Sequence, residues 1–459
     1  MRILLISSSA RGHAIAEALA RSPRKPEIIA ICPNRNPGIR KLAAELHLAS
    51  VMDFPKILEI AQKSKPDFAV ISDDDPIGAG LADELEKIGI PSIAPKKTLA
   101  QIESSKGFTR RLLEKYGIKA SPKFFVFERT KNSHKAQEEE KNMMYKIIDQ
   151  ELDGEYVVKY DALKGGKGVK LSGEHLATVD HGVDYAMDCL DECGRVVIEE
   201  KLIGVEFSLM SFVSGTSVVD MPAVQDHKRA YEGDTGPNTG GMGTYSDADH
   251  SLPFLESSDL ARAKEINRLT AEALMKECQE PYKGILYGGF IAVKDGVRVI
   301  EYNARFGDPE ALNVLPILSS DFVDICQGII SGELRDDLVN FQKKASVCKY
   351  IVPRGYPDNK DQKGEFVRFP DIGRDVWPNA PTEDACIYYG DVSEDKDGTL
   401  HLGGSRTAGI VGIGSTIAEA GAIVEKLCEQ VEGPIRFRKD IGTVPLVQKR
   451  NEMMKSLRS

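Results

Sequence analysis

Long apolar runs are missing from this chain: no stretch approaches the roughly 18 consecutive apolar residues of a membrane-spanning helix. The N-terminal run, Ile3–Ile6, is too short for a secretion signal. A basic excess is missing too. Lys plus Arg is 60 against 70 for Asp plus Glu, a net charge of −10, which argues against a nucleic-acid or membrane-surface binder. It leaves room for a small anionic substrate, because a local basic pocket fits in an acidic protein. Cysteine offers no framework: the eight are scattered, Cys189 and Cys193 are the one close pair, and no His stands at metal-ligand spacing from them. A structural zinc site is therefore not expected. Scattered thiols without an export signal point to a reducing, cytoplasmic setting. No internal repeat is visible.

The 459 residues are enough for about three domains, each with a core. Composition is ordinary for a globular protein, which excludes a disordered or fibrous chain. In the first hundred residues, strand patterns at Ile3–Ile6, Ile28–Ile31, Phe68–Ile71 and Pro91–Ala94 alternate with helix patterns at Ala14–Arg21, Ile39–Leu46, Phe54–Lys63 and Ala79–Ile88. Such alternation implies βαβ units and a parallel sheet, hence an α/β protein. A helix pattern, Leu99–Tyr116, leads out. The charged stretch Lys131–Lys146 reads as a solvated face. Gln225–Tyr245 is polar, Gly-rich and without periodicity, a long functional loop. Leu260–Glu277 is helical. Leu286–Lys294 and Val297–Tyr302 flank Asp295-Gly296, a hairpin signal. An α+β block runs from about residue 334 and closes with a helix at Ile417–Val431; the residues from Val444 are expected to be ragged.

Six segments carry chemistry. Along a strand ending Ile300-Glu301-Tyr302-Asn303, side chains alternate, so Glu301 and Asn303 face the same way and offer two hard oxygen ligands for Mg²⁺ or Mn²⁺. Arg305, Asp308 and Glu310 follow directly. Lys159 precedes Lys164-Gly165-Gly166-Lys167-Gly168, whose glycines let backbone N–H groups approach phosphate. It is no Walker A loop, since neither Ser/Thr nor a helix follows. Val197–Leu202, with Glu199 and Glu200, then Glu206, suits the wall of a nucleoside pocket. Gln225-Asp226-His227-Lys228-Arg229 and Asp234–Gly243 supply cations, acids and a wrapping loop; His227 reads as a structural, hydrogen-bonded His. The first junction, Ser7–His13, holds a single glycine, so a dinucleotide fingerprint is excluded. Its hydroxyls and Arg11 still suit a phosphate at a helix start. Asp73–Asp75 opens on the same sheet edge and reads equally as helix capping.

Together the strings Gln225–Arg229, Asp234–Gly243 with Tyr245, Ile300–Glu310, Gly165–Val169, Val347–Pro357 and Arg438–Gly442 resemble the glycinamide ribonucleotide synthetases (phosphoribosylamine–glycine ligases) of the ATP-grasp superfamily, in their archaeal form. The resemblance runs from Met1 to about Gly442. It implies a Rossmann-like N-terminal domain over 1–102, an ATP-grasp domain over 103–333 with a mobile lid at about 121–192, and an α+β C-terminal domain over 334–447. It implies ATP-dependent joining of glycine to 5-phosphoribosylamine through a glycyl phosphate. Implied metal ligands are Glu301 and Asn303. Implied ATP contacts are Lys106, Lys159, the loop Gly165, Gly166, Lys167 and Gly168, then Glu199, Glu200, Leu202 and Glu206. Arg305, Lys228 and Asp226 would be catalytic. Arg11, Asp74, Gln225, Arg229, Asp234, Asn238, Gly240, Asp308 and Glu310 would hold the other substrates. The implied partners are small molecules, with no nucleic acid and no membrane.

Departures from the family pattern fall in the N-terminal region. Gly12 stands where the family has Glu in Arg-Glu-His-Ala, and Ser72-Asp73-Asp74-Asp75-Pro76 replaces Gly-Pro-Glu-x-Pro. Two other readings stay open. One is a ligase for a different amine, which these departures favour. The other is a non-catalytic ATP binder, which the loss of Glu301, Asn303 or Lys159 would favour, and all three are present.

Overall fold

Continuous apolar strands, buried on both faces, build the N-terminal part as a parallel sheet. From edge to edge it runs Glu45–Leu48, Glu27–Cys32, Arg2–Ile6, Phe68–Ile71, Ser92–Ile93. The computed structural model describes residues 1–129, 133–164, 168–372 and 384–459. One strand differs from the sequence expectation. Glu45–Leu48 continues what reads as the helix Ile39–Leu46, which stops at Leu42. It is a half-exposed strand at the edge of the sheet. The expected helix Leu99–Tyr116 is two helices, Lys97–Ser104 and Lys106–Lys115. They break at Ser105, which is extended and accepts the Phe108 N–H as an N-cap.

The central part holds an antiparallel sheet in the order Ser217–Asp220, Val205–Ser214, Lys283–Val293, Gly296–Asn303. The helix Ser257–Cys278 packs on it. A second four-stranded sheet orders Phe124–Glu128, Arg195–Glu200, Tyr156–Tyr160 and Val169–Leu171. With the helices His134–Lys146 and Val179–Cys193 it forms its own apolar core, including Met144, Ile148, Val158, Val183 and Ile198. This unit extends through the strand Arg195–Glu200, beyond the expected lid end at 192.

The Gly-rich segment read as structureless contains four short strands: Gln225–Asp226, Arg229–Tyr231, Thr235–Asn238 and Gly243–Ser246. Two of them join the C-terminal sheet, whose order is Gln225–Asp226, Gly243–Ser246, Ala345–Pro353, Ala408–Gly414, Ala385–Tyr389. That sheet therefore crosses the expected boundary at 334. No apolar alternation announces these strands, because their pairing is set by long-range neighbours. The end of the chain is not ragged either. Val444–Arg458 is a helix that buries Leu446 and Met454, and its Arg458 forks onto Asp259 at 2.9 and 2.8 Å.

Candidate active site

A cleft of about 240 Å³ opens between the two antiparallel sheets and the carboxyl edge of the parallel sheet. Glu301, Asn303, Arg305, Lys228, Lys106 and Asp226 all line it. Glu301 and Asn303 share a face of the strand Gly296–Asn303, opposite Gly289 and Tyr287 of the neighbouring strand. Loss of water works against the Glu301 carboxylate. Lys228, Lys106, Lys159 and Arg305 together nevertheless hold it below the usual carboxylate range. Asn303 Oδ1 accepts from Arg305 Nη2 at 3.1 Å, which leaves a lone pair free. Two hard oxygens, one of them ionised, fit a divalent ion that completes its shell with phosphate oxygens.

Three cations surround this pair, each fixed differently. Lys106 begins the helix Lys106–Lys115. Buried Asp161 fastens that helix start, accepting from the Gly107 N–H and the Ser105 hydroxyl, both at 3.1 Å. Lys228 Nζ lies 3.8 Å from Glu301 and 3.7 Å from Glu206. Arg305 is clamped by buried Glu103 at 3.0 Å. Glu103, in turn, accepts the Ala304 N–H at 2.7 Å.

Beside them stand two carboxyl groups. Glu310 is buried and accepts from the Tyr287 hydroxyl at 2.8 Å. Burial and the Glu310 charge push the Asp226 carboxyl well above its ordinary range, against the pull of Lys228. Asp74 also lines the cleft, and Arg305 and Arg11 hold it ionised against burial.

Several expected ligands turn out to be engaged elsewhere. Arg11 lines the cleft, but its guanidinium donates to Asp73 at 3.2 Å and to the Phe306 carbonyl at 3.1 Å. Its backbone N–H, in the first turn of the helix Ala10–Ala20, donates to Asp308 Oδ2 at 3.2 Å. The anion expected at that helix start is therefore a protein carboxylate. Asp308 also accepts from the Tyr350 hydroxyl at 2.5 Å and pairs with Arg406 at 3.2 Å. Gln225 is buried between the Tyr245 hydroxyl and the Glu206 carbonyl. Arg229 pairs with Glu174 and donates to the Gly236 carbonyl. Asp234 is held by Arg438 and Arg450. Arg229, Asp234 and Asn238 are not among the cleft-lining residues described, whereas Gly240 is. Sequence spacing put all of these in one string, but the middle of the hairpin Arg229–Tyr231 with Thr235–Asn238 meets the C-terminal region, Gly233 donating to Asp440 and Asp234 pairing with Arg438 and Arg450.

In the nucleotide wall, the Glu199 side chain is buried and forked by Arg110 rather than open to a ribose. Glu200 is exposed and accepts the Lys123 N–H at 3.2 Å. Leu202 is half-buried just past the strand. Glu206 is exposed and borders a small pocket with Phe207, Phe290 and Ile300. Gly168 lines the main cleft; Gly165, Gly166 and Lys167 lie outside the described residues.

His227 is buried, with Nδ1 3.1 Å from the Gly243 carbonyl. Burial first, then Arg438 and Arg450, lowers it to about 4 against Asp234. A ring titrating near 6.5 when unfolded and near 4 when folded binds more protons unfolded. Its contribution to stability is therefore full above pH 6.5 and declines as pH falls toward 4. An imidazole NMR signal for His227 that stays constant from pH 8 to about 5 is expected, and a midpoint near 6.5 would refute the assignment.

Sequence reasoning missed Arg110, Glu103 and Arg406, which all line the cleft. Arg406 stacks 4.5 Å over Tyr350 and donates to the Gly240, Gly241 and Asp308 carbonyls. No local motif marks it; a lone Arg after Gly403-Gly404-Ser405 reads as a turn.

A parallel N-terminal sheet, two facing antiparallel sheets around a cationic cleft and a paired Glu and Asn at a strand end define a protein of the ATP-grasp class. The sequence matches the phosphoribosylglycinamide synthetase N domain over residues 1–103, the ATP-grasp (A) domain over 104–311 and the C domain over 346–444. The chain belongs to the phosphoribosylglycinamide synthetase family. It is 44% identical over 458 residues to the phosphoribosylamine–glycine ligase of Methanosarcina barkeri, covering 100% of both chains. With the Methanocaldococcus jannaschii enzyme of that name it shares 44% over 461 residues, again covering 100% of both. Among solved structures, the phosphoribosylamine–glycine ligase of Thermotoga maritima superposes with a TM-score of 0.75 at 28% identity, covering 96% of this chain and 100% of that one. The biotin carboxylase domain of the Hydrogenobacter thermophilus 2-oxoglutarate carboxylase, solved with MgADP and bicarbonate, gives 0.70 at 14% identity. It covers 99% of this chain and 93% of that one. The second likeness bears on fold alone.

Proposed function

We infer that this cleft is where ATP, glycine and 5-phosphoribosylamine meet. The chain is an ATP-dependent carbon–nitrogen ligase that forms glycinamide ribonucleotide, ADP and phosphate, a step of purine biosynthesis. The observation that carries the reading is the Glu301–Asn303 pair ringed by Lys106, Lys228 and Arg305 in one cleft. A carboxylate and an amine do not condense unaided in water. Transfer of the γ-phosphoryl group to the glycine carboxylate gives an acyl phosphate with a good leaving group, and the amine then displaces phosphate. Such transfer depends on positioning and on neutralising charge more than on acid–base groups.

In this reading Glu301 and Asn303 hold Mg²⁺ or Mn²⁺, which supplies charge neutralisation at the nucleotide phosphates when bound. Lys106 and Lys159 hold the phosphates, with Gly168 beside them. Arg305 and Lys228 stabilise charge on the transferring group. Asp226 and Glu310 face the amine side. Arg11, Asp308, Gln225, Arg229 and Asp234 shape the site without touching substrate, and Asp74 and Gly240 border the phosphoribosylamine side. The unit from Phe124 to Glu200 serves as the lid, keeping water from the acyl phosphate. Scattered cysteines, with Cys189 and Cys193 the one close pair in sequence, favour a reducing, cytoplasmic setting, and among the described residues no helix is long and apolar enough to cross a membrane.

ADP release by the purified protein with ATP, Mg²⁺ and glycine should require freshly made 5-phosphoribosylamine. Release with another amine in its place would transfer the assignment to that amine. Lys164 stacks over Tyr160 at 4.1 Å and pairs with Glu192 at 2.6 Å, both inside the lid. Lys164→Ala is therefore expected to change the ATP KM by less than about three-fold, against ten-fold or more for Lys106→Ala. Equal effects would remove Lys106 from the phosphate site.

A further inference from the structure

Buried Arg110, which nothing in the sequence marks, shares every acceptor that Lys159 uses. Lys159 Nζ contacts Glu199 Oε2 at 2.6 Å and donates to the Ile300 carbonyl at 3.0 Å. Arg110 donates from Nε to Glu199 Oε1 at 2.6 Å, and from Nη2 to Glu199 Oε2 at 3.0 Å and to the Ile300 carbonyl at 2.9 Å. All three side chains are at least nine-tenths buried. The arrangement is one carboxylate and one carbonyl with two cations on each.

We propose that Arg110 is a positioning residue for Lys159: because it already satisfies Glu199 and the Ile300 carbonyl, Lys159 can leave both for a nucleotide phosphate without stranding a buried charge. The inference rests on the reading of Lys159 as an ATP contact. An isolated buried carboxylate is costly, so a lysine that is the sole partner of Glu199 would be held in place. With the bidentate guanidinium present, the lysine is the surplus cation, desolvated and available. Burial and the Arg110 charge both press against its protonated form, and Glu199 opposes them. A phosphate is a better-charged partner than a carboxylate that another cation has already neutralised. The Ile300 carbonyl adds a second role, because the residue after it is Glu301. The grip of Arg110 on that carbonyl fixes the strand end that presents Glu301 and Asn303.

The test compares ATP kinetics and ADP binding in four proteins. Lys159→Met is expected to raise the ATP KM about ten-fold or more. Arg110→Met should raise it by a similar factor, with a smaller change in kcat, because Lys159 is now locked on Glu199. The double variant Arg110→Met/Glu199→Gln removes the lock, and its ATP KM should return to within about three-fold of wild type. A merely structural Arg110 would leave the double variant as impaired as the single one, and that result overturns the proposal. An unchanged ATP KM in Lys159→Met would instead overturn the reading of Lys159 itself. Should Arg110→Met fail to fold, Arg110→Lys takes its place. One ammonium cannot fork both oxygens of Glu199 and the carbonyl, so the same rise and the same recovery with Glu199→Gln are expected.

Discussion

Glu301→Gln and Asn303→Ala should each lower the rate of ADP formation by about 10²-fold or more, with an unchanged circular dichroism spectrum. The strand that carries them owes its stability to other residues. Val297, Val299 and Tyr302 point into the core, and the strand pairs along Lys283–Val293. Glu301→Gln keeps the shape and removes the one charge of the proposed ligand pair, which four cations hold ionised. Those cations then face each other across the cleft without their counter-charge, so ATP binding is expected to persist or tighten while turnover collapses. A measured rate within a few-fold of wild type in either variant would end the assignment of this pair as metal ligands.

The largest stability effect is expected at Asp308. Its carboxylate accepts from the Arg11 N–H, accepts from the Tyr350 hydroxyl and pairs with Arg406. It thus ties the N-terminal helix, the C-terminal sheet and the turn below the cleft to one point. Asp308→Ala leaves the largely shielded Arg406 without its buried counter-charge, and breaking such a pair costs about 3 kcal/mol. The urea midpoint should fall accordingly, and a shift worth less than about 1 kcal/mol would show that the three regions are held together elsewhere. Burial opposes the charged form of Asp308, but Arg406 and Arg11 outweigh it and lower its titration in the folded protein. The folded carboxyl then binds its proton less readily than the unfolded one. Its stabilisation is complete above the ordinary carboxylate range near 3.9 and drains away as the pH falls through the lower folded value. Asp308→Ala should flatten the acid limb of the unfolding profile.

What could be read from the sequence is what depends on neighbours along the chain. The alternation that puts Glu301 and Asn303 on one face needs only a strand, and Asp295-Gly296 announces its hairpin. The parallel strands of the first domain announce themselves by four- to five-residue apolar runs. What could not be read is which partner each charge meets. Arg229, Asp234 and Gln225 sit in the most recognisable strings of the chain, yet their side chains meet Glu174, Arg438 and Tyr245. Composition identifies a polar, Gly-rich wrapping loop; only the pairing of Gly243–Ser246 with Ala345–Pro353 decides which side of it faces the cleft. The C-terminal helix escaped for a related reason. Its apolar stripe is thin, and its anchors, Arg450 and Arg458, are ion pairs to distant acids.

The small sheet with its own core leaves the main body and returns to it on strands that are hydrogen-bonded to each other: Phe124 lies opposite Glu199, and the Glu200 N–H donates to the Lys123 carbonyl at 2.9 Å. A body attached through two adjacent strands has a single easy axis of rotation, as a page has at its spine. Displacement then scales with distance from that axis. Glu199 sits on the spine and Lys159 one strand inward, opposite Val197, so a given swing carries them through a short arc. Lys164, on the loop beyond Tyr160 at the far end of that strand, travels further for the same angle. On the proposed reading of Lys159 as a phosphate contact, a lever of this shape separates two tasks by radius: registering the nucleotide phosphates near the pivot, and opening or shutting the mouth at the rim.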